Sequence, residues 1–379
     1  MVLINRQQLY LSLNPAILPR IILTVTNDLT YDQRMQRICS SLQKAGYEAV
    51  LVGRKLPNSA PLADWSFQQK RLNCTFTKGL LFYAEYNIRL FFFLLFTNAD
   101  AYCAIDLDTI IPSFFASVLR NKPRVYDAHE LFTEQKEIVT RKVIHQFWLS
   151  IEKFAVPRFA KGYTVNLFIQ EEFKRRYGVQ YGIVRNMPLK KELNCSAKFA
   201  EKTILYQGAV NEGRSFETLI PAMAHVKATL LICGEGNFLE EAKAIAKKYS
   251  LEDKVVFKGA VSPKELQLIT QQSHIGVMLF EATGMNQYYS LANRFFDYMM
   301  AGIPQLCVNY PEYAAILKDY PFAYLIDDTQ IDTIAYGLNK LLADSVLYET
   351  IRNNALFARD ALNWNEEEKR LISFWKQIL

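Results

Sequence analysis

Cysteine is scarce in this chain and never occurs in the paired pattern of a metal site. The 379 residues include 6 cysteines, and none of them forms a Cys-x-x-Cys pair. This scatter indicates neither a zinc site nor a disulfide framework. Because several of the cysteines lie in strand-like apolar runs, we expect small core side chains in a reducing cytoplasm. The cysteines are at positions 39, 74, 103, 195, 233 and 307.

Long apolar runs are missing as well. The longest, residues 90–96, is far shorter than the roughly 20 residues that span a bilayer. The first residues lack the basic region, the apolar region and the small-residue cleavage site of a signal peptide. We therefore expect a cytoplasmic protein.

The charge balance restricts the partners. A net charge of +6 suits an anionic substrate or an anionic membrane surface, but it is too small to indicate nucleic acid. The apolar run beside Arg89 has two interpretations, a segment that enters a membrane interface or a helix buried between the sheet and its neighbours. The pattern favours the buried helix.

Strand-like apolar runs alternate with longer helical patterns along nearly the whole chain. The polar residues 189–202 interrupt this alternation and predict a linker. Because such alternation is typical of parallel sheets covered on both faces, we predict two doubly wound Rossmann-like domains facing a cleft, over residues 1–190 and 200–360. The runs that predict strands are 21–26, 49–52, 101–104, 124–127, 163–165, 182–184, 204–206, 229–233, 255–257, 275–280, 305–308 and 323–326.

Two glycine-containing turns in the second half are candidates for phosphate binding. Gly208 follows a predicted strand and allows the backbone to approach a phosphate, with which Arg214 can pair. The simpler alternative is a strand-to-helix turn with a solvated arginine. Gly234 and Gly236 form a Gly-x-Gly pattern after the next strand, which alone more often marks a tight turn.

Residues 290–304 predict a short helix whose start can bind an anion. We expect Ser290 as its N-cap and Gly302 as its C′ residue. The start, including Leu291 and Asn293, leaves backbone N–H groups unpaired, which favours an anion. Arg294 and Asp297 share one face at i, i+3, which suits a nucleotide diphosphate. The alternative is a capped amphipathic helix with both charges in solvent.

Polar residues also follow predicted strands in the first half. His129, beside Asp127 and Glu130, can bond a substrate hydroxyl or stabilise a charged reaction centre, although a lone histidine is more often structural. Asp106 and Asp108 can hold a divalent metal, but the pattern favours Asp108 as a helix N-cap.

The first predicted strand is not followed by a dinucleotide fingerprint. Residues 27–34 lack the Gly-x-Gly-x-x-Gly pattern, which argues against a dehydrogenase. Their polar groups remain available to a substrate, and Asp32 as a helix cap is the simpler explanation.

Together these blocks resemble the retaining glycosyltransferases of the large group-1 family, which have the two-domain GT-B fold. The resemblance extends over nearly the whole chain, and residues 364–379 look like the C-terminal helix that returns to the first domain in that family. The matching blocks are 26–34, 46–54, 106–109, 126–130, 186–188, 207–214, 234–236 and 290–304.

The resemblance implies a nucleotide-diphosphate sugar held by the second domain, an acceptor held by the first, no cofactor beyond this donor and no required metal. Arg214 would meet the diphosphate, with Arg294 as a further candidate. Asp297 has the position of a ribose-binding glutamate, and His129 that of a histidine near the transferred sugar.

The chain departs from the family pattern at three positions. Ala209 replaces a basic residue, Tyr289 replaces the first of two glutamates, and Ile105 replaces a histidine. We assign Glu281 as the substitute for sugar contacts.

We therefore predict a retaining hexosyltransferase of polysaccharide biosynthesis. Its acceptor would be a saccharide or a lipid-linked saccharide, with peripheral contact to the inner membrane face and no nucleic-acid partner. One alternative is a catalytically inactive nucleotide-sugar-binding partner of another transferase. Others are a metal-dependent transferase that uses Asp106 and Asp108, and an epimerase or phosphorylase on a similar scaffold.

Overall fold

The computed structural model describes residues 18–193 and 197–379. The N-terminal residues on which the signal-peptide expectation rests lie outside this range. So do Cys195 and part of the expected linker. The described part of 189–202 forms neither helix nor strand. The domain boundaries at 190 and 200 stay a prediction.

The first domain is built on a seven-stranded parallel sheet in the order β3-β2-β1-β4-β5-β6-β7. Its strands are β1 (Arg20–Thr24), β2 (Glu48–Lys55), β3 (Gln68–Asn73), β4 (Ala101–Ile105), β5 (Arg124–Ala128), β6 (Gly162–Thr164) and β7 (Gly182–Ile183). Its helices are α1 (Gln33–Lys44), α2 (Gly79–Phe96), α3 (Ile110–Leu119), α4 (Lys136–Val139), α5 (Lys142–Ala155) and α6 (Leu167–Tyr177).

The second domain is built on a six-stranded parallel sheet in the order β10-β9-β8-β11-β12-β13. Its strands are β8 (Thr203–Gln207), β9 (Thr229–Cys233), β10 (Val255–Gly259), β11 (Ile275–Met278), β12 (Gln305–Val308) and β13 (Tyr324–Ile326). The helices that follow are α7 (Phe216–Ala222), α8 (Leu239–Lys248), α9 (Pro263–Gln272), α10 (Met285–Tyr288), α11 (Asn293–Ala301), α12 (Pro311–Asp319), α13 (Ile331–Ala343), α14 (Ser345–Ala361) and α15 (Trp364–Trp375).

The fold class is the expected one: two parallel-sheet Rossmann-like domains. Each strand that the sequence predicts is present, but the sequence analysis missed β3. This strand is an edge strand that pairs only with β2, and its polar sequence has no apolar alternation.

Helix α2 is not the buried helix that the sequence analysis favoured. One stripe of α2 packs on the sheet, but the opposite stripe is exposed and also apolar. Among the described helices, α2 alone is long and apolar enough to cross a membrane by length and composition. Its packing on the sheet makes it a surface helix of the first domain. The buried stripe consists of Phe82, Tyr86, Leu90 and Leu94.

The last helix, α15, packs against α1 of the first domain. Its side chains Trp364, Leu371 and Trp375 are buried in the same cluster as Ile38 and Leu42. The indole N–H of Trp364 donates to Oγ of Ser41 at 2.9 Å. The chain therefore crosses between the domains twice, once near residue 190 and once before α15.

Leucine truncation tests the contribution of this returning helix. Leu371→Ala removes a fully buried side chain and should lower the free energy of unfolding by about 2–5 kcal/mol. Leu189→Ala, at a side chain that is 47% exposed, is the matched control and should change it by about 0.5 kcal/mol or less. Denaturant titration followed by tryptophan fluorescence measures both. Equal effects would show that α15 is not part of the folded core.

Candidate functional site

A cavity of about 600 Å³ lies where the carboxyl ends of the two sheets face each other. Side chains from both domains line it. His129 and Asn166 come from loops after β5 and β6, and Arg214, Phe280 and Ser290 come from the second domain. Ligands of parallel sheets bind at such strand ends, so this cavity is the candidate site.

Two guanidinium groups next to the cavity have no anionic partner among the described residues. Arg214 and Arg294 lie 4.3 and 4.7 Å from the ring centroid of Phe280. Arg294 is buried and donates to the carbonyl oxygens of Gln207 and Leu279. In the described part of the chain, no carboxylate forms an ion pair with either arginine. Burial, and then the nearby charge of Arg294, lower the pKa of Arg214. An anion bound here would relieve this repulsion.

The glycine turns allow two loops to pack closely. A Cβ atom on Gly234 would lie 1.8 Å from the carbonyl oxygen of Gly208, and one on Gly236 would lie 2.2 Å from that of Val210. The N–H of Gly208 donates to Cys233, and the N–H of Gly234 donates to Gly259. These two amides are thus occupied, which favours the tight-turn alternative for Gly234. The glycines bring the loop that carries Arg214 to the cavity wall.

The helix after the cavity begins later than the sequence analysis placed it. The N-cap of α11 is Ala292, so the expectation of Ser290 as N-cap is wrong. The Ser290 hydroxyl lies 3.4 Å from the hydroxyl of Tyr313, and Ser290 and Leu291 line the cavity. The first N–H groups of α11 have no intrahelical partner. The expected end is confirmed, because Gly302 caps the helix at φ +64°.

Asp297 and Arg294 are joined through one residue, Gln207. The Gln207 amide donates to Oδ2 of Asp297 at 3.1 Å, and its backbone oxygen accepts from Arg294 at 3.3 Å. Burial raises the pKa of Asp297 to about 6, although Lys191 and Arg37 oppose the shift. The two charges are therefore not a solvated helix face. The role of Gln207 could not be predicted, because a glutamine at the end of a strand carries no distinctive sequence signal.

Asn293 of this helix does not face the cavity. Its side-chain oxygen accepts a 2.8 Å hydrogen bond from Asn186 of the first domain. Glu281 is also absent from the cavity wall. Its backbone N–H donates to Gly213, and burial, followed by the charge of Glu217, raises the pKa of its carboxyl. The assignment of Glu281 to sugar contacts stays a prediction from the family resemblance alone.

His129 belongs to a network of charged side chains in the first domain. Asp127 Oδ2 lies 3.2 Å from His129 Nε2, and Asp106 Oδ2 lies 3.5 Å from Nδ1. Burial opposes a charge on the imidazole, but Asp127 and Asp106 outweigh burial and raise the pKa of His129 to about 9. Arg34 Nε also lies 2.9 Å from Nε2, a contact that needs the neutral ring. That form is populated only above this pKa.

The two carboxylates that follow β4 have different partners. Oδ1 of Asp106 accepts the backbone N–H of His129 at 2.8 Å, and Oδ2 of Asp108 accepts the hydroxyl of Thr26. The expected N-cap role of Asp108 is wrong, because the N-cap of α3 is Thr109. Burial raises the pKa of Asp108 to about 6. Within residues 18–193 and 197–379, no group of three His, Cys, Asp or Glu side chains could hold a metal ion.

Contacts between the domains close part of the cavity. The amide of Asn166 donates to the carbonyl oxygen of Tyr289, and that of Asn286 donates to Glu130, each at 2.8 Å. The ring of Tyr289 stacks on that of Phe168. Tyr289, at the position of a family glutamate, thus joins the two domains. Sequence reasoning could not find these pairs, because their members are more than 100 residues apart.

The proton on His129 predicts a pH-dependent stability. Its native pKa of about 9 exceeds the ordinary value of 6.5, so the native protein binds this proton more tightly than the unfolded chain does. This proton therefore adds about 3 kcal/mol to the free energy of unfolding. The contribution is fully present below pH 6.5 and is lost as pH rises through 9. Denaturant unfolding across this range should show the loss in the wild type and not in His129→Gln. His225→Gln, in the other domain, is the control, and equal profiles for wild type and His129→Gln would contradict the assignment.

Curated sequences align with part of the chain. The uncharacterized glycosyltransferase MJ1607 of Methanocaldococcus jannaschii is 25% identical over 183 residues, which are 46% of this chain and 45% of that protein. The alpha-monoglucosyldiacylglycerol synthase of Streptococcus pneumoniae is 23% identical over 246 residues, 62% of this chain and 50% of that protein. The chain thus spans about half the length of the curated relatives it matches.

Solved structures share the fold over nearly the whole chain. Sucrose-phosphate synthase from Thermosynechococcus elongatus superposes with a TM-score of 0.79 at 17% identity, covering 95% of this chain and 98% of that one. Anabaena HepE in complex with UDP gives a TM-score of 0.72 at 13% identity, with 95% and 100% covered. These likenesses establish the two-domain GT-B fold. Residues 196–356 match the family described as Glycosyl transferases group 1. The similarity to this family therefore covers most of the second domain.

Proposed function

We propose that this protein transfers a sugar from a UDP-sugar to a hydroxyl group of an acceptor and retains the configuration of the transferred carbon. The observation that carries the proposal is the pair of guanidinium groups, Arg214 and Arg294, which lie beside the same phenylalanine and form no ion pair with a carboxylate of residues 18–193 and 197–379. A leaving diphosphate is the anion whose charge increases during such a transfer.

The donor would lie mainly against the second domain. We expect Arg214 at the cavity wall to contact the diphosphate. The buried Arg294 and the start of α11 would add a positive electrostatic potential there. Asp297, which accepts a hydrogen bond from Gln207, would accept hydrogen bonds from the ribose hydroxyls. Anabaena HepE was solved with UDP and with UDP-glucose, which supports uridine as the base.

The acceptor would lie mainly against the first domain, near His129. We propose a saccharide or a lipid-linked saccharide. The Streptococcus pneumoniae relative is named for a monoglucosyldiacylglycerol, which supports a lipid among the acceptors. His129, whose two ring nitrogens face Asp127 and Asp106, would contact the transferred sugar.

Transfer would proceed on one face of the sugar. The bond from the anomeric carbon to the diphosphate breaks while the acceptor oxygen bonds to that carbon, and the acceptor proton moves to the departing phosphate oxygen. The protein then needs no nucleophile of its own, and its contribution is positioning and charge stabilisation. We propose that the arginines, and not a metal ion, offset the charge of the leaving group.

One observation favours a second candidate, a protein that binds a nucleotide sugar without transferring it. Tyr289 has the position of the first family glutamate and forms a contact between the domains instead. Donor binding with neither transfer nor hydrolysis would support this candidate.

Replacing Arg214 tests the site of the diphosphate. Arg214→Ala should lower turnover, and the affinity for UDP, by about tenfold or more, because a charge-assisted hydrogen bond is lost. Calorimetry with UDP and an assay of UDP release from UDP-sugars measure the two effects. Arg352→Ala is the control, because that arginine is 41% exposed and pairs with Glu349. Wild-type turnover in Arg214→Ala would remove Arg214 from the mechanism.

Replacing Asp297 tests the ribose contact separately. Asp297→Asn should weaken UDP binding by about tenfold and leave the affinity for inorganic pyrophosphate unchanged. In the wild type, UDP affinity should fall as pH decreases through about 6, because the protonated carboxyl is a poorer acceptor. Asp319→Asn, at an exposed position, is the control. Equal losses for UDP and pyrophosphate would show that Asp297 does not contact the ribose.

A further inference from the structure

The outer surface of the first domain carries large exposed apolar side chains on three neighbouring helices. Helix α2 packs against α3, and α3 packs against α5, all on the same side of the sheet. We call this surface the apolar face. It consists of Leu81, Ile88, Phe92 and Phe96 of α2, Phe115, Val118 and Leu119 of α3, and Val143, Phe147 and Phe154 of α5.

Helix α2 shows that this exposure is not incidental. A helix that packs on a sheet needs one apolar stripe, but α2 has a second on its solvent side. Ile88, Phe92 and Phe96 are 58%, 51% and 78% exposed and recur every four residues. Since these side chains contribute little to the core, folding alone does not account for them.

Exposed aromatic rings of the apolar face pair with each other within α2 and between α3 and α5. The rings of Phe92 and Phe96 stack at 6.3 Å, and those of Phe115 and Phe154 stack at 6.5 Å, which joins α3 to α5. Exposed apolar side chains that lie next to one another are typical of an interaction surface, whereas isolated ones are common on any protein.

Cations accompany the apolar face, and its three helices carry no exposed carboxylate without an ion pair. The guanidinium of Arg158 lies 4.3 Å from the ring centroid of Phe154. Arg141 and Lys142 are exposed at the start of α5. The three helices contain two acidic residues: Glu85 pairs with Arg89, and Glu152 is 2% exposed. The face is therefore apolar with a positive margin.

We propose that the apolar face docks on a phospholipid bilayer that carries anionic headgroups. The apolar side chains would enter the boundary of the acyl region to a depth of about 5–10 Å, and the cations would meet the headgroups. A second copy of the chain fits less well, because two such faces would bring like charges together. The proposal does not depend on the donor, so its failure leaves the proposed transferase activity untouched.

Vesicle binding of the full chain tests the proposal. We expect the wild type to sediment with phosphatidylglycerol-containing vesicles and to remain in solution with phosphatidylcholine vesicles. Phe92→Ser combined with Phe96→Ser should lower partitioning by about tenfold or more. Phe357→Ser is the matched control, since Phe357 is 70% exposed on α14 of the other domain and should leave binding unchanged. Thermal unfolding and UDP affinity, unchanged in both variants, show that the fold and the site are intact.

A second variant separates the charge from the apolar contact. Arg141→Gln combined with Lys142→Gln should reduce binding to the anionic vesicles several-fold, and added salt should reduce wild-type binding similarly. Wild-type protein that stays in solution with anionic vesicles would overturn the proposal. So would equal binding by the Phe92/Phe96 variant and the wild type, or a dimer in light scattering that this variant abolishes.

Discussion

The candidate site depends on two positively charged guanidinium groups that form no ion pair with a carboxylate of the described residues. Arg294 is buried among carbonyl oxygens and aromatic rings, and Arg214 lies near it beside the same phenylalanine. Keeping two guanidinium groups together without a carboxylate costs stability unless an anion binds. The glycine turns and the Gln207 bridge are the means by which the backbone holds this arrangement in place.

Most of the fold could be predicted from the sequence because buried parallel strands are continuous apolar runs. The strand Thr229–Cys233 has the bounds that its apolar run indicates. The failures have physical causes. The edge strand β3 is polar because only one of its sides pairs, and α2 has apolar stripes on both sides, which pattern reasoning assigns to a buried helix.

The candidate site was less accessible to sequence reasoning than the fold. Local patterns located the loops at the strand ends but not the direction of each side chain. Asp108 turns to Thr26 and does not cap its own helix, and Ser290 lies beside Tyr313 and precedes the true N-cap. Such choices depend on partners that are distant in sequence, as the link from Gln207 to Asp297 also shows.

The double crossing between the domains has a mechanical consequence. With a single linker, one domain could rotate freely relative to the other. The second covalent connection, which α15 anchors in the first domain, restricts this rotation. We expect the remaining motion to be mainly an opening and closing of the cleft about a line through both connections. Domain movements during turnover would then follow mainly this opening and closing. Cleavage of the chain before α15 would add freedom of rotation between the domains.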